Sequence, residues 1–300
     1  MSPCDAHMER YALCLQLLAV LFRGMRTYVP PTKVVCAHNL YNARYCMIKN
    51  KLETGIFQYA FPPRRETQSF GDTIVAVVDG NRALLIDVGY EDEAKQVLQD
   101  LTANNITVDK VIISHFHADH FAGIDLLPNV PFYGEMNFKK TLEFEGATGD
   151  EIERYTPSVI VDKPMTIEYG PHMIELIPFP GHSECTMLIK INERFLHIAD
   201  EVMFSTDGQL TLPYLCNGDK DTKRQRQINA YNKLKMYSAF TIIPAHGLVF
   251  EGSRLNDYLR NLENYINAII ETDGEITYED AMKNCDYLLL QSNWHEFNCK

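Results

Sequence analysis

The sequence predicts a mixed α/β fold with strands in two groups and helices flanking them. Short apolar runs bounded by turn residues recur from Thr73 to Ile243, and segments with helical periodicity lie between and after them. Several of the runs end in His or Asp, at the position where strands feed the loops that build sites. Of the 300 residues, 46% are hydrophobic and 23% charged, an ordinary globular balance with enough apolar material for a sizeable core. A chain this long makes one large domain or two small ones.

Residues 1–67 show no chemistry-bearing pattern and are read as an N-terminal extension. Residues 68–300 form the body. Tyr11 to Phe22 is mostly apolar but contains Gln16, and Arg23 and Arg26 follow it; the run is too short to span a bilayer. Asp5 and Glu9 precede it and no small-residue cleavage site follows, unlike a secretion signal. It reads as a helix packed on the body or as a contact between two copies of the chain, a homodimer. Met8 and Met25 are alternative starts, and Pro30-Pro31 and Pro62-Pro63 are breaks.

From Phe70 the elements follow in order. Thr73 to Val78 and Ala83 to Ile86 are strands joined by the turn Asp79-Gly80-Asn81, a hairpin. Glu91 to Asn104 is an amphipathic helix with Ala94, Val97, Leu98 and Leu101 on one face and acids in its first turn. Ile106 to Ile113 is the next strand, Asp119 to Leu127 a short helix stopped by Pro128, Val130 to Tyr133 a strand, and Asn137 to Glu145 helical. Several short strands lie within Val159 to Ile191, with turns at Asp162-Lys163-Pro164 and Gly170-Pro171. Arg194 to Ile198 is another strand, after a turn at Asn192-Glu193. Helices span Asp221 to Tyr237 and Arg254 to Ile270, and Thr277 to Cys285 is a last one, with a capping-box-like start at Thr277 and Asp280.

Ser114-His115-Phe116-His117-Ala118-Asp119-His120 directly follows the run Val111-Ile112-Ile113. Alternate side chains of an extended segment point the same way, so His115 and His117 can reach one metal ion together. A turn into helix at Asp119 swings Asp119 and His120 toward a neighbouring ion. Neutral imidazole and carboxylate are ligand types that Zn²⁺, Fe²⁺ and Mn²⁺ accept. Three further pieces follow, each at the end of an apolar segment: Pro180-Gly181-His182-Ser183, His197-Ile198-Ala199-Asp200, and Pro244-Ala245-His246-Gly247.

This order of motifs, over roughly Phe70 to Phe250, resembles the metallo-β-lactamase-fold hydrolase superfamily, with its His-x-His-x-Asp-His, Gly-His, Asp and final Gly-flanked His. The resemblance implies a four-layer αβ/βα sandwich as the catalytic domain, 68–300. It implies two divalent metal ions, zinc or else iron or manganese. His115, His117 and His182 would hold the first, Asp119, His120 and His246 the second, with Asp200 bridging. Asp119 would also move the leaving-group proton, and Asp87 in Asp87-Val88-Gly89 would support the metal-bearing loop without binding metal.

The resemblance leaves the substrate open among thioesters, lactones, β-lactams, phosphodiesters and persulfides, and some departures narrow it. Zinc β-lactamases replace the bridging Asp with Cys, whereas Asp200 stands here. Flavin-linked oxygen reductases carry Glu at the second His, which here is His117. RNA-processing members need a cationic surface or an inserted exosite, and neither is present between Asp200 and His246. Many quorum-signal lactonases carry a Tyr shortly after the bridging Asp. Glu201, Val202, Met203 and Phe204 stand there in this chain, leaving Tyr214 and Tyr90 as alternatives. The expected function is cleavage of an ester, thioester or lactone bond of a small molecule by metal-activated hydroxide. The alternatives are a mononuclear iron persulfide dioxygenase and a non-catalytic metal-binding protein on the same fold.

The remaining composition constrains partners. There are 28 Lys plus Arg against 40 Asp plus Glu, a net charge of -12, and no basic run, which argues against nucleic acid. Nothing indicates membrane binding. Eight cysteines without a Cys-x-x-Cys pair read as idle thiols in a reducing compartment, the cytoplasm. Of these, Cys185 lies three residues after His182 and is expected to pack. His197 reads as core or as support for the centre, His172 and His295 as turn or surface residues, and His7 and His38 fall in the extension.

Overall fold

Both faces of the central strands are apolar, so each sheet must be covered twice. A computed structural model describes residues 33–34, 47–63, 71–204, 208–287, 289–290 and 293–300. The first sheet has eight strands in sequence order: β1 (Lys33–Val34), β2 (Ile48–Glu53), β3 (Ile56–Ala60), β4 (Thr73–Asp79), β5 (Arg82–Ile86), β6 (Thr107–Ile112), β7 (Phe132–Glu135) and β8 (Val159–Val161). Pairing is antiparallel from β1 to β5 and parallel from β5 to β8. The second sheet has six: β9 (Met165–Tyr169), β10 (His172–Pro178), β11 (Met187–Ile191), β12 (Phe195–His197), β13 (Thr241–Ile243) and β14 (Phe250–Glu251).

Strand alternation sorts the core into layers. Ile74, Ala76, Ala83 and Leu85 face an outer cluster with Val97, Leu101 and Phe116, beneath helix α1 (Glu91–Ala103). Their neighbours Val75, Val77, Leu84 and Ile86 face inward, against Ile174, Leu176, Ile189 and Ile243 of the second sheet. The second sheet's other face packs on long helices at Lys220–Leu234 and Leu255–Glu271, through residues such as Leu196, Tyr231 and Ile266. Helix, sheet, sheet, helix is the expected four-layer αβ/βα sandwich. Among the described residues no helix is long and apolar enough to cross a membrane.

The hairpin, α1 and the helix at 255–271 form where the sequence places them, within a residue or two, and the helix expected over 221–237 is α-helical over 220–234 and 3₁₀ over 235–237. Other readings are corrected. The strand before the histidines ends at Ile112, so His115 and His117 lie on the loop beyond it. The helix expected over 119–127 is one α-turn, α2 (Ala118–Phe121), followed by a 3₁₀ turn at Ala122–Leu126. Asn137 to Glu145 resolves to α3 (Phe138–Phe144), and a helix that the sequence did not announce follows, α4 (Gly149–Arg154). With the long helices as α5 (Lys220–Leu234) and α6 (Leu255–Glu271), the helix expected over 277–285 is the short α7 (Tyr278–Ala281), whose cap is as read: Thr277 Oγ1 accepts from Asp280 N–H at 3.2 Å. A further helix, α8 (Asn293–Cys299), lies near the end of the chain.

Part of the segment assigned to the extension belongs to the first sheet, since β3 pairs with β4 along its whole length. Tyr11 to Phe22, Met8, Met25, His7, His38, Cys4, Cys14, Cys36 and Cys46 lie outside the described residues. Two histidines read as turn or surface are buried. His172 opens β10, with Nδ1 2.8 Å from Asn192 Nδ2. His295 sits in α8, with its ring nitrogens 2.9 Å from the Tyr265 hydroxyl and 2.9 Å from the Ile276 carbonyl.

Candidate metal centre

The loops that follow β6, β10, β12 and β13 meet at one edge of the sandwich. Backbone bonds tie the edge together: Met187 N–H donates to Ser114 O at 2.8 Å and Thr73 N–H to Ala245 O at 2.8 Å. All seven expected side chains arrive there. His117 Nδ1 lies 3.0 Å from His115 Nε2 and 3.0 Å from His182 Nε2. Asp200 Oδ2 is 3.6 Å from both His115 Nε2 and His182 Nε2. His115, His117, His182 and Asp200 form one group with ligand atoms within 4.8 Å of one another, and Asp119, His120 and His246 form a second. In the second, His120 Nε2 and His246 Nε2 are each 3.5 Å from an Asp119 carboxylate oxygen. Asp200 touches both groups, with Oδ2 3.3 Å from His246 Nε2 and Oδ1 3.5 Å from His120 Nε2.

Local backbone explains the aim. Ala199 takes the left-handed conformation, φ 47°, which turns Asp200 off the end of β12 at a cost on the order of 1 kcal/mol. Gly181 precedes His182 because any β-carbon there would meet Glu201 Oε1 at 2.2 Å. Gly247 follows His246 at φ 110°, where a β-carbon would strike Phe204.

Supporting groups fix the imidazoles. Asp87, itself at φ 57°, accepts from Ser114 N–H at 2.6 Å and Ser114 Oγ–H at 2.7 Å, and His120 Nδ1 is 3.0 Å from its Oδ2. That contact places the proton on Nδ1 and turns the Nε2 lone pair to the centre. His246 Nδ1 has Asp72 Oδ1 and Gly71 O each at 3.3 Å, with the same effect. His197 is buried, with Nδ1 accepting from Ala199 N–H at 3.3 Å and Nε2 3.9 Å from Asp87, so it is core and not a ligand. Cys185 packs as expected, its Sγ 3.1 Å from Thr141 Oγ1 and burial pushing its thiol up.

Burial holds the His115 and His182 imidazoles well below their ordinary pKa, which keeps them neutral. Burial also opposes charge on His120 and His246, but Asp200 and Asp119 outweigh it and hold both well above the ordinary range. Asp200 is likewise disfavoured by burial, and His246, His120 and His115 together hold its carboxyl well below the usual value.

This donor set fits a divalent cation. At a zinc–nitrogen distance near 2.0–2.1 Å, tetrahedral ligands lie about 3.3 Å apart, close to the spacings found. His120 Nε2 and Asp200 Oδ1 are buried, without a hydrogen-bond partner, and face one another's groups. Buried polar atoms left without a hydrogen-bond partner are costly unless a cation satisfies them.

The sequence does not show where three further groups stand. Glu145, at the end of α3, faces His117 with Oε1 3.7 Å from Nε2. Tyr214 lies beside His117 and His182, with ring centroids 6.1 and 6.2 Å away. Glu201 is buried behind His182, accepting from His182 N–H at 2.8 Å and Gln227 Nε2–H at 2.7 Å. Burial raises the Glu201 carboxyl from 4.5 to about 7 against those two bonds. The folded chain thus binds the Glu201 proton more tightly than the unfolded chain, and this group's contribution falls as pH rises from 4.5 through 7. Glu201→Gln mimics the protonated form. Relative to wild type it is expected to gain up to about 3 kcal/mol at pH 8, with the gain vanishing by about pH 4 in denaturant titrations of metal-free protein. An equal difference at both pH values would refute this. Tyr155 packs on Phe121 and donates its hydroxyl to Asp125 Oδ2 at 3.2 Å.

Comparison with known proteins agrees with this geometry. The family model of the metallo-beta-lactamase superfamily matches residues 69–246. A hydroxyacylglutathione hydrolase of Shewanella denitrificans is 30% identical over 110 residues, 37% of this chain and 39% of that one. A beta-lactamase-like protein 2 homolog of Caenorhabditis elegans is 25% identical over 216 residues, 67% of this chain and 66% of that one. The match therefore spans less than two thirds of either relative. Among solved structures, a metallo-beta-lactamase from Pontibacter korlensis superposes with a TM-score of 0.57 at 19% identity, over 72% of this chain and 99% of that one. At that identity the likeness shows the fold. Matched over more than half its length, with the layers and the clustered ligand types in place, the chain belongs to the metallo-beta-lactamase superfamily, whose members are mostly metal-dependent hydrolases.

Proposed function

We propose that the chain hydrolyses an ester, thioester or lactone bond of a small molecule with two divalent ions, zinc or else iron or manganese. The observation that carries this reading is Asp200, whose Oδ2 lies between His115 and His182 of one group and His246 of the other, with Oδ1 toward His120. His115, His117 and His182 would hold one ion, and Asp119, His120 and His246 the other, with Asp200 shared. Such an ion pair, when bound, lowers the pKa of a shared water toward neutrality and polarises a carbonyl oxygen.

The chain's own groups do the rest. Asp87 and Asp72 hold the His120 and His246 tautomers. Of the seven side chains Asp119 is the most exposed, at 24%, so the open side of the centre lies there. In this reading its carboxylate takes a proton from the attacking water and returns it to the departing oxygen or sulfur. The thioester branch has support from the relatives named hydroxyacylglutathione hydrolase. The net charge of -12 supports a small-molecule substrate, and the thiol usage a cytoplasmic site of action.

A panel of small esters, thioesters and lactones, assayed with metal-loaded protein, tests the reading. Hydrolysis of at least one class is expected, falling about 10²-fold or more in Asp119→Ala with the fold retained by circular dichroism. Fully metallated protein that turns over none of them would refute it. One iron per chain, with oxygen consumed on a persulfide, would assign the dioxygenase reaction instead.

A further inference from the structure

Beside the first group of histidines stands an aromatic wall that the centre does not itself need. Tyr214 presents its ring to His117 and His182. Behind it, Phe297 stacks at 4.9 Å and 17°, and Trp294 packs at 5.2 Å and 46°. Both come from α8, and Lys223 fixes that helix, donating to Phe297 O at 3.0 Å with Nζ 4.3 Å over the Phe297 ring. With Phe297 stacked on it, Tyr214 is only partly buried, so part of its ring stays exposed beside His117. On another side of His117 stands the Glu145 carboxylate, 42% exposed.

We propose that Tyr214 is a specificity-determining residue, whose ring packs on a flat apolar group of the substrate while Glu145 selects against negative charge on that group. This rests on the hydrolase assignment above and names the substrate class more closely: an aryl or similarly flat apolar group, neutral or cationic, next to the reacting carbonyl. The physics is that of an aromatic face beside a carboxylate. The face supplies contact area and attraction for cations, and the carboxylate repels anions.

Trp294 is the only tryptophan in the chain, so its emission reports on this wall alone. Zinc-loaded protein is titrated at neutral pH with benzyltrimethylammonium, benzyl alcohol and benzenesulfonate, which share a ring and differ in charge. The expected result is a saturable change in Trp294 emission, tightest for the cation and weakest for the sulfonate. Tyr214→Leu, which keeps bulk at the position, weakens the cation and the alcohol about fivefold to tenfold, and Tyr214→Phe restores them. Glu145→Gln narrows the gap between the cation and the sulfonate by about twofold to fivefold, while the ring keeps the cation ahead. No saturable change with any probe, or wild-type affinities in Tyr214→Leu, overturns the proposal. The readout is binding, so the expected order in a protein that hydrolyses nothing would sink the hydrolase assignment and leave the wall standing.

Discussion

Asp200→Ala is expected to lose the capacity for a second metal ion and to lower kcat/KM on the order of 10³-fold or more. The residue is the single link between the two groups of ligands, with four imidazoles within 3.6 Å of its oxygens. Charge stabilisation of several kcal/mol is at stake in the transition state, and about 4 kcal/mol corresponds to 10³ in rate. Without the carboxylate, His120 and His246 lose the largest of the influences that hold their protons, so in metal-free protein both titrate lower. The melting temperature of metal-free protein should fall as well, because His246, His120 and His115 more than offset the burial of the Asp200 charge and that gain is lost. Elemental analysis, steady-state kinetics and a thermal melt of the same preparation check all three expectations. An Asp200→Ala protein that keeps two ions and wild-type turnover would show that the carboxylate is not shared.

Asp87→Ala is expected to damage stability and centre together. It orphans the Ser114 N–H, the Ser114 hydroxyl and the His120 Nδ1–H, all buried. It also puts alanine at φ 57°, a conformation disfavoured by about 1 kcal/mol or more. The sum is about 3–5 kcal/mol in denaturant unfolding. Asp87→Asn separates the two effects, because Asn tolerates the left-handed backbone and can still accept from Ser114 N–H. Its amide cannot accept from His120 Nδ1–H as a carboxylate does, so metal affinity should fall about 10–100-fold with most of the stability kept. If Asp87→Asn bound metal as wild type does, the tautomer argument would fail.

The centre was legible because its residues carry their own local signature. Closely spaced ligands at a strand end, and Gly or Ala beside each distant ligand, reflect backbone constraints that act over a few residues. Glu201 gives the reason for Gly181, and Phe204 the reason for Gly247, although neither partner could be read from the sequence. Glu145, Tyr214, Trp294 and Phe297 escaped for the opposite reason. Their roles arise from contacts between segments 28 to 97 positions apart, which no spacing rule encodes. The β2–β3 hairpin was missed because one strand, Ile-Lys-Asn-Lys-Leu-Glu, is mostly polar and carries no ligand. The α8 helix was missed because Asn-Trp-His-Glu-Phe-Asn-Cys has no apolar repeat long enough to show a period. His172 and His295 were misplaced because burial of a histidine depends on its hydrogen-bond partners, here Asn192, Tyr265 and the Ile276 carbonyl.

Metal stoichiometry tests the central claim most directly. Protein stripped with chelator, reloaded with zinc and desalted is measured by elemental analysis against chain concentration. About two ions per chain are predicted for wild type and at most about one for Asp200→Ala. A wild-type protein that retains one ion or none under the same treatment would contradict the account.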